Sequence, residues 1–263
     1  TSTPPVFDLI SAPIRAMLAS KFVNLGRNSG TILLNAVDEI SPYLIGGEDK
    51  SYNGNGGVSY INAFRHQRLI NEGSKYGVFT TNRYFREGGY GNLIGIDGLF
   101  TFNTIWRLQF EFSKSFNKEP VANWIESEDN FLDKTVKLDG EKFKGSANYI
   151  RLSRNTEHWN TSIFYKGISP GFRADVGFVP RINRRYGSIY HGYTSFYDKK
   201  YLKEFNTSIK GDINYNYDNK LKTKNFDFNI SVKTFGKTEI SYVYEYNLIR
   251  NYLNFNFKNY GKS

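Results

Sequence analysis

No cysteine occurs among the 263 residues, and methionine occurs once. A disulfide framework and a thiolate metal site are thereby excluded; the compartment is not, because many envelope proteins also lack cysteine. Long hydrophobic runs are absent too. A spanning helix needs roughly 18 or more apolar residues with few charges, whereas the longest charge-free stretch, Ser51–Phe64, is full of Gly, Asn and Ser. No membrane helix is expected, although a closed barrel, which satisfies every backbone group inside hydrocarbon, stays open as an architecture. The opening Thr1-Ser2-Thr3-Pro4-Pro5 has no basic region ahead of an apolar stretch. It does not read as a signal peptide, so the chain is expected to be cytosolic, a mature product or a fragment.

What the chain has instead is aromatic area: 22 Phe and 20 Tyr, 17% aromatic residues overall, against a mean hydropathy of −0.53 and a formal net charge of +10. That much apolar surface argues against disorder, and the length fits one large domain or two small ones.

From Ile14 onward the residues alternate with period two, the side-chain repeat of a strand. Trp106, Leu108, Phe110 and Phe112 share one face, with Arg107, Gln109, Glu111 and Ser113 on the other. Phe226, Phe228, Ile230 and Val232 oppose Asn225, Asp227, Asn229 and Lys233. Phe172, Ala174, Val176 and Phe178 oppose Arg173, Asp175 and Arg181. Helical spacing appears nowhere with comparable strength. The chain is expected to be all-β, with about 14 strands, within roughly 12–16. They fall near 14–24, 30–38, 58–69, 76–86, 92–103, 105–116, 142–153, 157–167, 171–182, 185–197, 202–217, 223–235, 237–249 and 252–258. The 7 prolines all fall at or outside the ends of these segments, where no ladder donor is lost. Strands follow one another without crossover helices, so an antiparallel meander is expected. Short connections such as Leu25–Ser29, Ile70–Lys75, Asn103-Thr104, Arg154–Glu157 and Asn219–Lys222 alternate with the longer Ile40–Gly57, Glu87–Gly91 and Asn117–Glu141. Gly236-Lys237 is the exception, short where a long loop is expected.

A soluble β-sandwich alternates just as cleanly. Three features favour a membrane barrel. The segments mostly run to about 10–13 residues; strands of soluble proteins are commonest at about 5–6, and a tilted membrane strand needs about 9–11. A single-layer barrel of this size cannot fill its lumen with one layer of side chains, so its inner face should be polar. Glu111, Asp175, Lys210, Asp212, Asp227, Glu239 and Glu245 sit in mid-segment on that face. The opposite face is nearly free of charge, Lys114 being the main exception; a basic residue facing lipid at mid-depth costs roughly 2–4 kcal/mol. Tyr186, Phe196, Tyr215, Tyr217 and Phe235, near segment ends, fit interfacial girdles. The expected architecture is one antiparallel up-and-down transmembrane β-barrel over residues 1–263, with an N-terminal segment 1–12 and long loops near 40–57 and 117–141.

Gly77-Val78-Phe79-Thr80-Thr81-Asn82-Arg83, Gly95-Ile96-Asp97-Gly98 and Ser169-Pro170-Gly171-Phe172-Arg173-Ala174-Asp175-Val176-Gly177-Phe178-Val179-Pro180-Arg181 resemble a family of Bacteroidota outer-membrane β-barrel proteins of unknown function. The likeness spreads over residues 12–200 and is most specific in the Gly-Phe-Val-Pro-Arg stretch; residues 201–263 share only the strand pattern. Full-length members of that family join an N-terminal domain like family-9 carbohydrate-binding modules to a C-terminal barrel. Such a domain is not in this sequence, so no sugar-binding role carries over. The resemblance implies an outer-membrane location and names no catalytic residue.

Arg65, Arg83, Asp97, Arg107, Glu111, Arg173, Asp175 and Arg181 should project inward if the faces are assigned correctly. They read either as a lumen that guides a charged solute or, with both signs interleaved, as a neutralising ladder that supports the wall and sets register; the ladder is favoured. In the 117–141 loop, Glu126, Glu128, Asp129, Asp133, Asp139 and Glu141 lie beside several lysines. Paired carboxylates there suit glycosidic acid–base chemistry only at the right spacing, and a solvated surface loop is the simpler expectation. Val121–Leu132, with Trp124, reads as a short helix or a docking element. Gly46–Gly57 lacks the ordered ligand series of a calcium loop and reads as a mobile Gly-rich loop. His66, His158 and His191 show no metal spacing. A hydrolase built on His191 and Ser162 would need both on neighbouring strands in hydrogen-bond reach.

The basic residues are spread along the chain without a nucleic-acid signature, so loop Lys and Arg are matched to lipopolysaccharide phosphates or an acidic partner. The sequence thus predicts an outer-membrane barrel acting as a pore or as a scaffold subunit, with lipid, lipopolysaccharide and other envelope subunits as partners. It predicts no nucleic acid, metal or cofactor and no enzymatic activity. A soluble polysaccharide-binding module is the alternative, and a membrane-embedded hydrolase a weaker one.

Overall fold

The computed structural model describes residues 16–40, 42–71, 73–131, 134–199, 201–234, 239–249 and 252–261. The N-terminal segment 1–12, Asp133, Phe235 and Gly236-Lys237 lie outside the described residues. The strands are β1 (Ala16–Leu25), β2 (Ser29–Asp38), β3 (Pro42–Gly46), β4 (Ser51–Asn55), β5 (Ser59–Asn71), β6 (Ser74–Phe85) and β7 (Tyr90–Phe102). They continue with β8 (Trp106–Lys118), β9 (Val121–Ala122), β10 (Asn130–Phe131), β11 (Lys134–Thr135), β12 (Leu138–Asp139) and β13 (Lys142–Asn155). The last are β14 (Trp159–Ile168), β15 (Arg184–Lys199), β16 (Leu202–Tyr215), β17 (Leu221–Lys233), β18 (Glu239–Ile249) and β19 (Tyr252–Gly261). No helix is found among the described residues.

The fold is all-β and antiparallel. One 13-stranded sheet has the order β1-β2-β5-β6-β7-β8-β13-β14-β15-β16-β17-β18-β19. Small two-stranded ladders join β3 to β4, β9 to β12 and β10 to β11. Register follows the period: Ile209 faces Phe228, Thr207 faces Ile230 and Phe205 faces Val232, so apolar side chains stack on one face and polar ones on the other. Asn103 and Thr104 take left-handed φ angles of 49° and 58° and reverse the chain between β7 and β8.

Two expectations for the connections are corrected. Gly46–Gly57 is not a mobile loop: it supplies most of the β3–β4 hairpin, with Leu44 opposite Asn53. The expected helix at Val121–Leu132 is absent over its described residues 121–131: Val121–Ala122 pairs with β12, and Trp124 packs with Tyr43, Ile45, Phe85, Ile125, Val136 and Leu138 in a small core. Its ring stands edge-on to Tyr43 at 5.7 Å and tilted against Phe85 at 5.5 Å.

The expected strand at 171–182 is also overturned. Residues 169–183 are an irregular segment between β14 and β15. Their backbone bonds go to local turns (Phe172 N–H to Ser169 C=O, 3.2 Å; Gly177 N–H to Ala174 C=O, 2.9 Å), to side chains and, at the two ends, to the Ser146 and Gly47 carbonyls, not to a continuous ladder. Side chains of both parities are buried: Phe172, Val176 and Ile182, but also Arg173 and Val179. Apolar residues alternate here because some pack on the sheet while the polar ones between them bond to it. With that segment recognised as a connection, the main sheet holds 13 strands rather than about 14. The parity of every later connection changes with it. Within the first unit the links at 39–58, 86–89, 119–141 and 169–183 share one end of the strands.

The described chain forms two compact units. In the first (Thr1–Phe100, Gln109–Tyr149, Gly167–Arg184), polarity and burial are inverted relative to a soluble sheet. Arg83 of β6 is 1% exposed while its neighbour Tyr84 is 46% exposed, and on β7 Ile94 and Ile96 are 58% and 48% exposed. On β8, Glu111, Ser113, Ser115 and Asn117 are buried and Phe116 is exposed. The covering layer is residues 169–183: Val176 packs on Ala36 of β2 and Ile61 of β5, and Phe172 lies against β13 at Gly145. In the second unit (Thr101–Leu108, Ile150–Lys166, Arg185–Ser263), Ile189, Ile209, Phe226, Ile240 and Tyr242 are exposed. There Lys210 bonds Asp212 at 3.2 Å and Asp227 at 3.4 Å on the opposite face.

A Cβ at position 145 would overlap the backbone of Phe172 and Gly171. Gly145→Val should therefore displace the covering segment, at an overpacking cost of about 1–3 kcal/mol. Timed trypsin digestion checks this: cleavage after Arg173 and Arg181 should rise about tenfold, because it follows the opened population. Gly187→Ala, whose Cβ meets only the Ile213 methyl at 3.9 Å, should leave the rate unchanged.

Candidate functional site

The inward alternation of β8 continues past its last residue, carrying Ser115, Asn117 and Glu119 in phase with Glu111. Opposite this row lies the 169–183 segment. Arg173 Nη1 donates to Glu119 Oε1 at 2.6 Å, both side chains almost wholly buried at 3% and 0% exposure. The Arg173 backbone N–H donates to Ser115 Oγ at 3.1 Å, and its guanidinium carbon lies 3.5 Å from the centroid of the Phe143 ring. Two residues on, Asp175 Oδ2 accepts from Asn117 Nδ2 at 3.0 Å, and its backbone carbonyl accepts from Arg83 Nη1 at 2.7 Å. Arg83 Nε donates to Ser59 Oγ at 3.1 Å, and its guanidinium sits 4.8 Å over Phe85. Side chains from β6, β8 and β13 thus converge on the three residues 173–175 of the segment, with Ser59 of β5 holding Arg83 from behind.

Burial dominates the electrostatics. It pushes the Glu119 carboxyl up to about 7, against the pull of Arg173, with Glu141 and Asp139 pushing the same way. It also raises the Asp175 carboxyl, opposed by Arg83 and Arg173. The Tyr43 hydroxyl is raised by burial first and by the charge of Asp175 second. Each ion taken out of water costs several kcal/mol, offset only where partners and geometry are good. The arrangement is therefore one that fixes position: it ties an irregular segment to the polar face of a sheet. Beside it, Tyr43, Asn53, Asn55, Asp175 and Phe178 line a cavity of about 470 Å³.

Of the eight inward candidates, Arg83, Arg173 and Asp175 come together here. Arg65 and Asp97 form a separate pair between β5 and β7, Nη2 to Oδ2 at 2.7 Å and half-buried. Glu111 is buried on β8, and Arg107, in the second unit, is exposed. Arg181 lies in the segment, but its guanidinium reaches only the Pro180 carbonyl at 3.4 Å, while its backbone bridges Gly47. Sequence reasoning missed Glu119, Ser115, Asn117 and Ser59. The period-two phase from Glu111 contained the first three, but ending the strand at 116 hid Asn117 and Glu119.

Other candidates fall elsewhere. His191 Nδ1 shares a hydrogen bond with Thr161 Oγ1 at 2.8 Å and its ring stacks on Trp159 at 5.0 Å. Ser162, the next residue along β14, points to the opposite face. In the 117–141 loop, Asp129 is tied to Lys50 at 2.6 Å and to the Tyr52 hydroxyl at 3.0 Å, and Glu128 to Lys137 at 2.8 Å.

Comparison of the chain with protein-family models, with curated proteins and with solved structures finds no match.

Removing one member of the Arg173–Glu119 pair strands the other in a dry site. Arg173→Met and Glu119→Leu should each destabilise by about 3–5 kcal/mol, and the double substitution by clearly less than their sum. Equilibrium unfolding of the four proteins in a double-mutant cycle measures this; strict additivity would show that the pair is not coupled.

Proposed function

We propose that the chain is an integral outer-membrane β-barrel whose lumen is obstructed by residues 169–183, serving as the membrane scaffold of an envelope complex rather than as an open pore. One observation carries the reading: in the first unit the face that bears Arg83 and Glu111 is covered, while Tyr84, Ile94 and Ile96 on the other face are bare. Bare apolar surface of that extent costs about 25 cal/mol per Å² in water and is the natural wall against acyl chains. A soluble sandwich would place the same side chains between its sheets.

Further features support it. Trp159 lies 4.6 Å from Tyr193, and Phe196 is 56% exposed, so aromatic rings gather by the tight turn at 156–158, as in an interfacial girdle. The long connections 39–58, 119–141 and 169–183 share one end of the strands, as the long loops of outer-membrane barrels do. Thirteen alternating strands leave β1 and β19 running in the same direction. A barrel therefore closes either through one parallel seam or by one additional strand. The likeness to the Bacteroidota envelope family points to the same location, and the loop lysines and arginines suit lipopolysaccharide phosphates and acidic envelope partners.

The chain should partition with membranes, require detergent for extraction and migrate differently on SDS gels before and after boiling. Recovery as a monodisperse particle without detergent, with no heat-dependent shift, would sink the membrane reading. In planar bilayers the wild-type protein should show no steady conductance, and Gly145→Val, which dislodges the segment, should open steps. Steady conductance from the wild type would overturn the obstructed lumen while leaving the barrel intact.

A further inference from the structure

Past the end of β8, Glu119-Pro120 leads into β9, which pairs antiparallel with β12: Val121 opposes Asp139 and Ala122 opposes Leu138. The Glu119 N–H donates to the Glu141 carbonyl at 2.9 Å. Gly140 between the two acids has φ +92°, a conformation that residues with a Cβ rarely adopt. As a result Glu119, Asp139 and Glu141 each bring a carboxylate oxygen within 4.8 Å of the other two.

The charges around them are asymmetric. Arg173 bonds Glu119 Oε1 at 2.6 Å and Lys134 approaches Glu141 Oε1 at 3.7 Å, so two cations face three carboxylates. Thr135 supplies its N–H to Glu141 Oε2 and its hydroxyl to Asp139 Oδ2, each at 3.2 Å. An exposed acidic cluster would need nothing more. Glu119, however, is 1% exposed, and its second oxygen, Oε2, is buried with no hydrogen-bond partner among the described residues. A buried carboxylate oxygen left unanswered carries its full desolvation penalty, and here two more carboxylates crowd the same carboxyl group.

We propose that Glu119, Asp139 and Glu141 form a calcium site. Hard oxygen donors are what calcium takes, at about 2.3–2.6 Å, so oxygens on opposite sides of its shell stand about 4.6–5.2 Å apart. The three oxygens lie close enough together to share one such shell, and magnesium, which demands near-ideal octahedral geometry and dehydrates reluctantly, suits an irregular set of three carboxylates less well. Water completes the coordination on the side of the exposed Asp139. The bound ion ties the 119–141 loop to the end of β8 and holds Glu119 ionised for Arg173, so the site stiffens the anchor of the covering segment. This inference does not rest on the membrane reading.

The test is calorimetric titration of CaCl₂ into the purified 263-residue chain after EGTA treatment, with MgCl₂ in parallel and circular dichroism as a check of fold. One calcium should bind per chain, magnesium at least about tenfold more weakly. Asp139→Asn and Glu141→Gln should each weaken calcium binding about tenfold or more, and Glu128→Gln, outside the cluster in the same loop, should bind as the wild type does. Absence of calcium heat, together with no change in melting temperature between EGTA and about 5 mM calcium, would overturn the proposal. So would undiminished binding by both folded acid variants. If either variant fails to fold, the wild-type titration and the remaining variant decide.

Discussion

A guanidinium almost wholly removed from water must be met by hydrogen-bond acceptors, and for Arg173 the Glu119 carboxylate meets that demand. The constraint precedes any particular pair: the sheet of the first unit carries its polar residues on the face that becomes covered. Whatever covers that face has to be polar in the same places. Residues 169–183 satisfy this by mixing two kinds of side chain over a short span. Phe172, Val176 and Ile182 fill the apolar gaps, and Arg173 and Asp175 bond to Glu119, Asn117 and Arg83. Shape alone would let the segment slide; the buried charges give it one position.

The two units solve the polar-face problem differently. In the first, an irregular segment and the β3–β4 hairpin bring their own hydrogen-bond partners. In the second, the partners come from neighbouring strands: Lys210 reaches Asp227 across one pair, and Lys233 reaches Glu204 at 3.2 Å. These cross-strand contacts are part-exposed and individually weak, roughly 1 kcal/mol or less. They fix register more than they add stability, and a one-residue slip of β17 would place Asp227 on the apolar face. The anchor in the first unit, by contrast, is dry, so losing one partner is far more costly there.

How much was legible beforehand follows from the same physics. Periodicity located the long strands because alternation is a local property, written wherever one face meets a different solvent from the other. Residues 171–182 alternate too, and there the inference failed. A covering segment whose polar residues bond to a wall shows the same spacing as a strand in that wall. What distinguishes it is where its backbone donors go, and that is a tertiary fact. Glu119 was missed for a related reason. Ending the strand at 116 assigned it to a loop, although Glu111, Ser113, Ser115 and Asn117 already set its phase.

Glu119 then belongs to two arrangements at once. Through Oε1 it holds Arg173, and through its carboxyl it meets Asp139 and Glu141. Burial favours a proton on that carboxyl, whereas Arg173 favours the anion. A proton on Oε2 would leave the Arg173 contact as a bond from a cation to a neutral acid, weaker than a charge-assisted one. A cation beside Oε2 would instead keep the carboxylate ionised and answer the repulsion from its two neighbours. Protonation and cation binding therefore compete for one buried oxygen, and the firmness with which residues 169–183 sit on the sheet depends on which of the two prevails.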